Sequence, residues 1–266
     1  MTVLHSRYNV LKEEQNQLKT RLNEIQGTLD INYMTGHRLM WPAWPPNDKK
    51  LISKYKTIST QSYIRMISVL NVIRYITKNK INGDIVECGV YKGITPVLCA
   101  IECLKLNNMK HIWSYDTYEG VPSEDITEED MYEADDGSNK HAKTWLEERN
   151  NEWCKCSLSQ VEKNVKKTNY PDELLYFIKG KVQDTIPAHI PDQISFLRLD
   201  MDLGEPTKHA LNFLWDKLNI NGVLQIDDYG FFKGVRNVID EFFSDKHVYI
   251  HGIDMTAIGI IKLKKG

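Results

Sequence analysis

Two stretches of the chain end alike: Leu197-Arg198-Leu199-Asp200-Met201-Asp202 and Val223-Leu224-Gln225-Ile226-Asp227-Asp228-Tyr229-Gly230. Each is an apolar run of strand length that stops on carboxylates. This predicts two strands of a parallel sheet delivering Asp side chains to one edge. Open α/β sheets bind ligands at that edge. Asp200, Asp227 and Asp228 converging there would repel one another unless a hard divalent cation neutralised them, so the pattern points to an oxygen-ligated Mg²⁺-type site. Taken singly, each acid would equally suit a helix N-cap or a solvated loop.

Outward from this pair, strands and helices alternate. Asp84 to Cys88 reads as the first strand, Pro96 to Leu106 as a helix, and His111 to Asp116 as the second strand. Val161 to Lys167 reads as a helix, and Leu174 to Ile178 and Ile194 to Leu199 as the third and fourth strands. Lys208 to Leu218 is a helix, Val223 to Ile226 the fifth strand and Lys233 to Phe243 a helix. Val248 to Ile250 and Ala257 to Ile261 follow without a helix between them. The expectation is an α/β fold: a doubly wound, mostly parallel sheet with a C-terminal hairpin. Glu124 to Asp136 is strongly acidic and reads as a mobile surface segment.

Before the sheet, Leu4, Tyr8, Leu11, Gln15, Leu18, Leu22, Ile25 and Leu29 keep a heptad spacing. Residues 1–30 are therefore an N-terminal helical arm and a candidate coiled coil, and the chain is expected to self-associate into a homo-oligomer. Residues 31–56 contain Pro42, Pro45 and Pro46, which forbid a continuous helix, and read as a linker. The domain then runs over 57–266, opening with a helix between Thr57 and Lys80 after the cap-like Ser59-Thr60.

Lys and Arg number 34 and Asp and Glu 36, a net charge of −2, so no global field favours nucleic acid or an anionic membrane. The apolar runs are short for a membrane span, and Met1 to Arg7 lacks the apolar core of a secretory signal, so a cytoplasmic protein is expected. Cys88, Cys99 and Cys103 fall in a buried strand and its following helix and read as packing residues. Cys154-Lys155-Cys156 has no companion Cys/His set for zinc.

After the first strand, Glu87-Cys88-Gly89-Val90-Tyr91-Lys92-Gly93 forms a turn whose glycines let backbone approach a ligand. Tyr91 stands where a dinucleotide fingerprint requires its second glycine, which disfavours a dehydrogenase. Asp116, ending the second strand, is placed to accept both hydroxyls of a ribose.

In order, Gly83 to Gly93, Asp116 to Pro122, Leu197 to Asp202 and Ile226 to Gly230 resemble the motifs of the macrocin O-methyltransferase (TylF-type) family, from about Thr57 to the C-terminus. The resemblance implies a class I, Rossmann-like methyltransferase that uses S-adenosylmethionine and Mg²⁺ to methylate a hydroxyl of a sugar or glycosylated small molecule. It further implies that Glu87, Gly89 and Gly93 border the methionine part of the cofactor. Asp116 would hold the ribose, and Asp200, Asp227 and Asp228 the metal. Gly180 to Pro187 resembles the adenine-contacting segment of catechol O-methyltransferases and nominates Gln183. Thr57–Arg65 and 123–136 correspond to segments that cover the cofactor.

The chain departs from the family at Gly93-Ile94-Thr95, where Gly-Gly-Ser is usual, and at Gly204 and Pro206, which replace Tyr and Ser beside the acceptor. Asp200 is the first choice for the acceptor's proton, with Asp202 and His251 behind it. Two other readings are a non-catalytic scaffold assembled through the coiled coil and a nucleotide-sugar dehydrogenase.

Overall fold

The computed structural model describes residues 45–134, 137–150 and 152–264. The heptad arm and most of the expected linker lie outside the described residues. Within the linker range the chain is helical over α1 (Pro46–Tyr55). Pro46 opens that helix, the one place where a missing N–H costs nothing.

A second helix, α2 (Tyr63–Lys78), is capped at Ser62 and not at Ser59-Thr60: the Ser62 hydroxyl accepts the Arg65 amide at 3.1 Å. Its buried side, from Met66 to Ile76, follows the helical spacing read from sequence. Strand β1 (Asp84–Cys88), helix α3 (Ile94–Lys105) and strand β2 (Ile112–Asp116) come next. A two-stranded hairpin, β3 (Met131–Glu133) and β4 (Asn139–His141), leads into α4 (Ala142–Glu147) and α5 (Leu158–Lys166). Then come β5 (Leu175–Lys179), the single turn α6 (Val182–Thr185), β6 (Ile194–Leu199), α7 (Gly204–Leu214), β7 (Leu218–Ile226), α8 (Lys233–Phe243), β8 (Val248–Gly252) and β9 (Ile258–Lys262).

The main sheet has the order β5-β2-β1-β6-β7-β9-β8. The first five strands are parallel, and the terminal hairpin adds β9 antiparallel to β7. The order reverses between β1 and β6, which opens the crevice where such folds take ligands. Alternation sorts the central strands. Val86, Cys88, Leu197, Leu199, Leu224 and Ile226 join one core with Leu211 of α7 and Ile239 of α8. The intervening Glu87, Arg198 and Gln225 lie in register across β1, β6 and β7 on the other face, where Gln225 donates to Ser68 of α2 at 2.7 Å.

Three further expectations are corrected. The acidic segment Glu124–Asp136 is not merely mobile surface over its described part. Asp130 is fully buried, takes the Thr127 amide and hydroxyl at 2.8 Å, and accepts the Gly204 amide at 2.9 Å. That contact also explains why α7 starts at Gly204 and not Lys208, with Pro206 in the permissive first turn. Strand β7 starts at Leu218 and not Val223. The strand runs through Asn221-Gly222 with a register shift between the Ile194–Leu218 and Phe196–Val223 pairs.

Candidate active site

Register decides which acids meet. Cys88, Leu199 and Ile226 face one another across β1, β6 and β7, so the next residues leave the sheet side by side. Asp200 donates its amide to the Cys88 carbonyl at 2.8 Å and Asp227 its amide to the Leu199 carbonyl at 3.0 Å. Carboxylate oxygens of Asp200, Asp227 and Asp228 all lie within 4.8 Å of one another. The three acids nominated from sequence are thus brought together. A hard, all-oxygen set of this kind suits Mg²⁺ or a similar ion.

Arg198 stands behind them. It is 1% exposed and donates through Nη1 to Glu87 Oε1 at 2.8 Å and Asp200 Oδ2 at 2.7 Å, and through Nη2 to Asp227 Oδ1. Burial opposes its charge, but Asp200, Asp227 and Glu87 more than offset that and hold it cationic. Burial pushes Glu87 up to about 8 despite Arg198. Burial also lifts Asp227 to about 6 against the pull of Arg198. Asp228 is driven well up by burial and then by Asp202 and Asp200. Asp202 rises to about 8 through burial and the charges of Asp200 and Asp227, and its amide donates to Asp228 Oδ2 at 3.1 Å. A site so reluctant to hold its charges favours added positive charge.

A cavity of about 380 Å³ opens beside this cluster, within the usual range for small-molecule sites. Gly89, Asp116 and Gln183 line it, as do Asp200, Asp202, Asp227 and Asp228. Gly89 has φ +85°, and a Cβ there would sit 1.7 Å from the Asp200 carbonyl oxygen, so only glycine lets β1 pass this close to β6. Gln183 donates to Asp125 at 3.2 Å, while its Oε1 is buried without a partner.

Asp116 does more than line the cavity. Its Oδ2 accepts the amides of Val90 and Tyr91 at 2.6 and 2.9 Å, and its Oδ1 that of Tyr118 at 2.7 Å. The carboxylate thereby clamps the glycine turn. Burial raises its pKa, and these amides work against that rise.

Glu87 and Gly93 are not among the cavity-lining residues. Glu87 is buried beneath the turn on Arg198. Gly93 caps α3 in the left-handed region, and a Cβ there would meet Val161 of α5 at 3.0 Å. His251 lies on β8, its ring packed over Gly259, and is likewise not a lining residue.

Sequence reasoning missed three contributors. Arg65 pairs with Asp227 and Asp254, and Cys154 lines the cavity, where burial and the charges of Asp202 and Asp200 push its thiol up. An aromatic wall is formed by Trp145, Trp153, Phe231 and Phe232: Trp145 meets Trp153 at 5.4 Å and Phe231 at 5.1 Å, both edge to face. Phe231-Phe232, directly after the Asp227-Asp228 strand end, were the available signal for that wall.

The seven-stranded sheet and the crevice at its switch point give the fold of the class I methyltransferases. The solved O-methyltransferase NovP shares this fold, with a TM-score of 0.67 at 23% identity over 78% of this chain and 83% of the other. A profile described as Macrocin-O-methyltransferase (TylF) matches residues 54–261, and the chain belongs to that family.

Among its relatives, demethyldecarbamoylnovobiocin O-methyltransferase of Streptomyces niveus is 26% identical over 201 residues, 75% of this chain and 69% of the relative. The 8-demethyl-8-(2,3-dimethoxy-alpha-L-rhamnosyl)-tetracenomycin-C 4'-O-methyltransferase of Streptomyces olivaceus is 27% identical over 169 residues, 62% and 60% of the two chains. The protein is therefore an O-methyltransferase of the S-adenosylmethionine-dependent class. The scaffold and dehydrogenase readings fall away. Among the described residues, no helix is long and apolar enough to cross a membrane.

Proposed function

We propose that the protein transfers a methyl group from S-adenosylmethionine to a sugar hydroxyl of a glycosylated small molecule, with Mg²⁺ held by Asp200, Asp227 and Asp228. The observation that carries this is the convergence of those carboxylates within 4.8 Å on the wall of a cavity that Asp116 and Gln183 also line. When bound, the ion supplies Lewis-acid activation and a template for the acceptor hydroxyl.

The chain's own residues do the rest. At the donor end, Gly89 lets backbone approach the methionine moiety, and the unpaired Gln183 Oε1 suits the exocyclic amine of adenine. Asp116 orders the turn and offers its remaining acceptor capacity to the ribose. Asp200, 25% exposed at its side chain, is the accessible acid of the cluster and takes the acceptor's proton. The aromatic wall packs against the apolar face of a sugar ring and excludes water from the donor's methyl. The tetracenomycin relative named above acts, by its name, on a rhamnosyl compound, which supports the acceptor class. Self-association through residues 1–30 completes the reading.

The test is incubation with labelled S-adenosylmethionine and a panel of glycosides, with and without a chelator. Label transferred to a glycoside and abolished by the chelator is the expected result. Transfer indifferent to the chelator would remove the metal from the reaction.

A further inference from the structure

Asp227 meets two guanidinium groups, and they are held differently. Arg198 reaches its Oδ1 from inside the sheet, 1% exposed, so withdrawing it would strand buried charge. Arg65 reaches its Oδ2 from the first turn of α2, 18% exposed, on the wall of the cavity.

Arg65 also has a second berth. Its Nε donates to Asp254 Oδ2 at 2.7 Å, and its Nη2 donates to Asp254 Oδ1 at 3.2 Å and to Thr256 Oγ1. That berth is fixed independently. Asp254 accepts the Ser62 hydroxyl at 2.6 Å and the amides of Thr256 and Ala257 at 3.0 and 2.9 Å.

We propose that Arg65 is a competing cation for the carboxylate cluster: its guanidinium neutralises Asp227 Oδ2 until a divalent ion is taken up by Asp200, Asp227 and Asp228, and the ion then confines it to Asp254 and Thr256. The proposal rests on the metal reading above. A guanidinium and a divalent ion sharing one carboxylate repel each other at short range in a poorly screened site. Arg198 cannot yield, so Arg65 does.

Two consequences follow. The side chain raises the ion concentration the site needs. Ion uptake is also coupled to the N-terminal turn of α2, where Ser62 and Arg65 share Asp254 and where Thr60 lines the cavity.

Titration calorimetry of Mg²⁺ and Mn²⁺ into the full chain, parent against Arg65→Met, reads this without an assay of turnover. The Met variant is expected to bind about 10-fold tighter, within the range of site-to-site couplings. Its ion-free Tm is expected to fall, and its ion-induced rise in Tm to exceed the parent's. Methylguanidinium added to Arg65→Ala should weaken uptake back toward the parent.

Arg65→Lys, with a single ammonium reaching fewer acceptors, should shift affinity the same way by less, and it serves if the Met variant does not fold. Uptake by the parent that is unchanged or weaker in the variants overturns the inference and leaves the metal reading standing. No uptake by any of the proteins overturns both.

Discussion

Arg198 on β6 holds Glu87 on β1 at 2.8 Å, and both side chains are all but sealed from solvent. The pair forms the floor beneath the acids at the strand ends. Removing Arg198 would take a hydrogen bond from Glu87 and strand the buried charges of Asp200 and Asp227 that it offsets. Arg198→Met is therefore expected to cost about 3–5 kcal/mol in urea unfolding. A loss below about 1 kcal/mol would mean that the carboxylates do not depend on it.

The same buried acid predicts a pH dependence. Glu87 is raised in the folded chain to about 8 from 4.5, so the folded state binds its proton more tightly than the unfolded state does. Its contribution to stability is full below pH 4.5 and is lost as pH rises toward 8. In metal-free protein, Glu87→Gln should flatten the decline in stability between those values. An unchanged slope in denaturant midpoints across that window would contradict the assignment.

Gly89→Ala would force a side chain onto the Asp200 carbonyl and into the left-handed region. A loss of more than about 2 kcal/mol is expected from the strained backbone alone. Thermal unfolding within a degree or two of the parent's would show that β1 and β6 can part here.

On the acceptor side, Phe231→Ala is expected to raise KM for the glycoside by roughly 3–10-fold, the value of one aromatic contact, while leaving S-adenosylhomocysteine affinity unchanged. Equal losses in both would place Phe231 at the donor end.

The strand-end acids were legible because an apolar run that stops on Asp states both a strand and its edge. Arg65 was not legible, since its partner Asp227 lies 162 positions away and nothing in YIRMIS distinguishes a site arginine from a surface one. Glu87 and Gly93 carry the family pattern, yet their side of the turn packs inward on Arg198 and α5. A motif gives position along the chain but not which way a residue faces. The segment after β2 was misread because its acidic composition hides Asp130 and Tyr132, whose burial depends on α7 and α8 arriving from later sequence.

The central claim is that three acids from two strands hold a divalent ion beside the methyl donor. Crystals grown with S-adenosylhomocysteine and Mn²⁺ test it through anomalous scattering. The account predicts one peak about 2.1 Å from an oxygen of each of Asp200, Asp227 and Asp228, on the cavity side of Arg198. A well-ordered donor with no peak there, or a peak held by other residues, would contradict it.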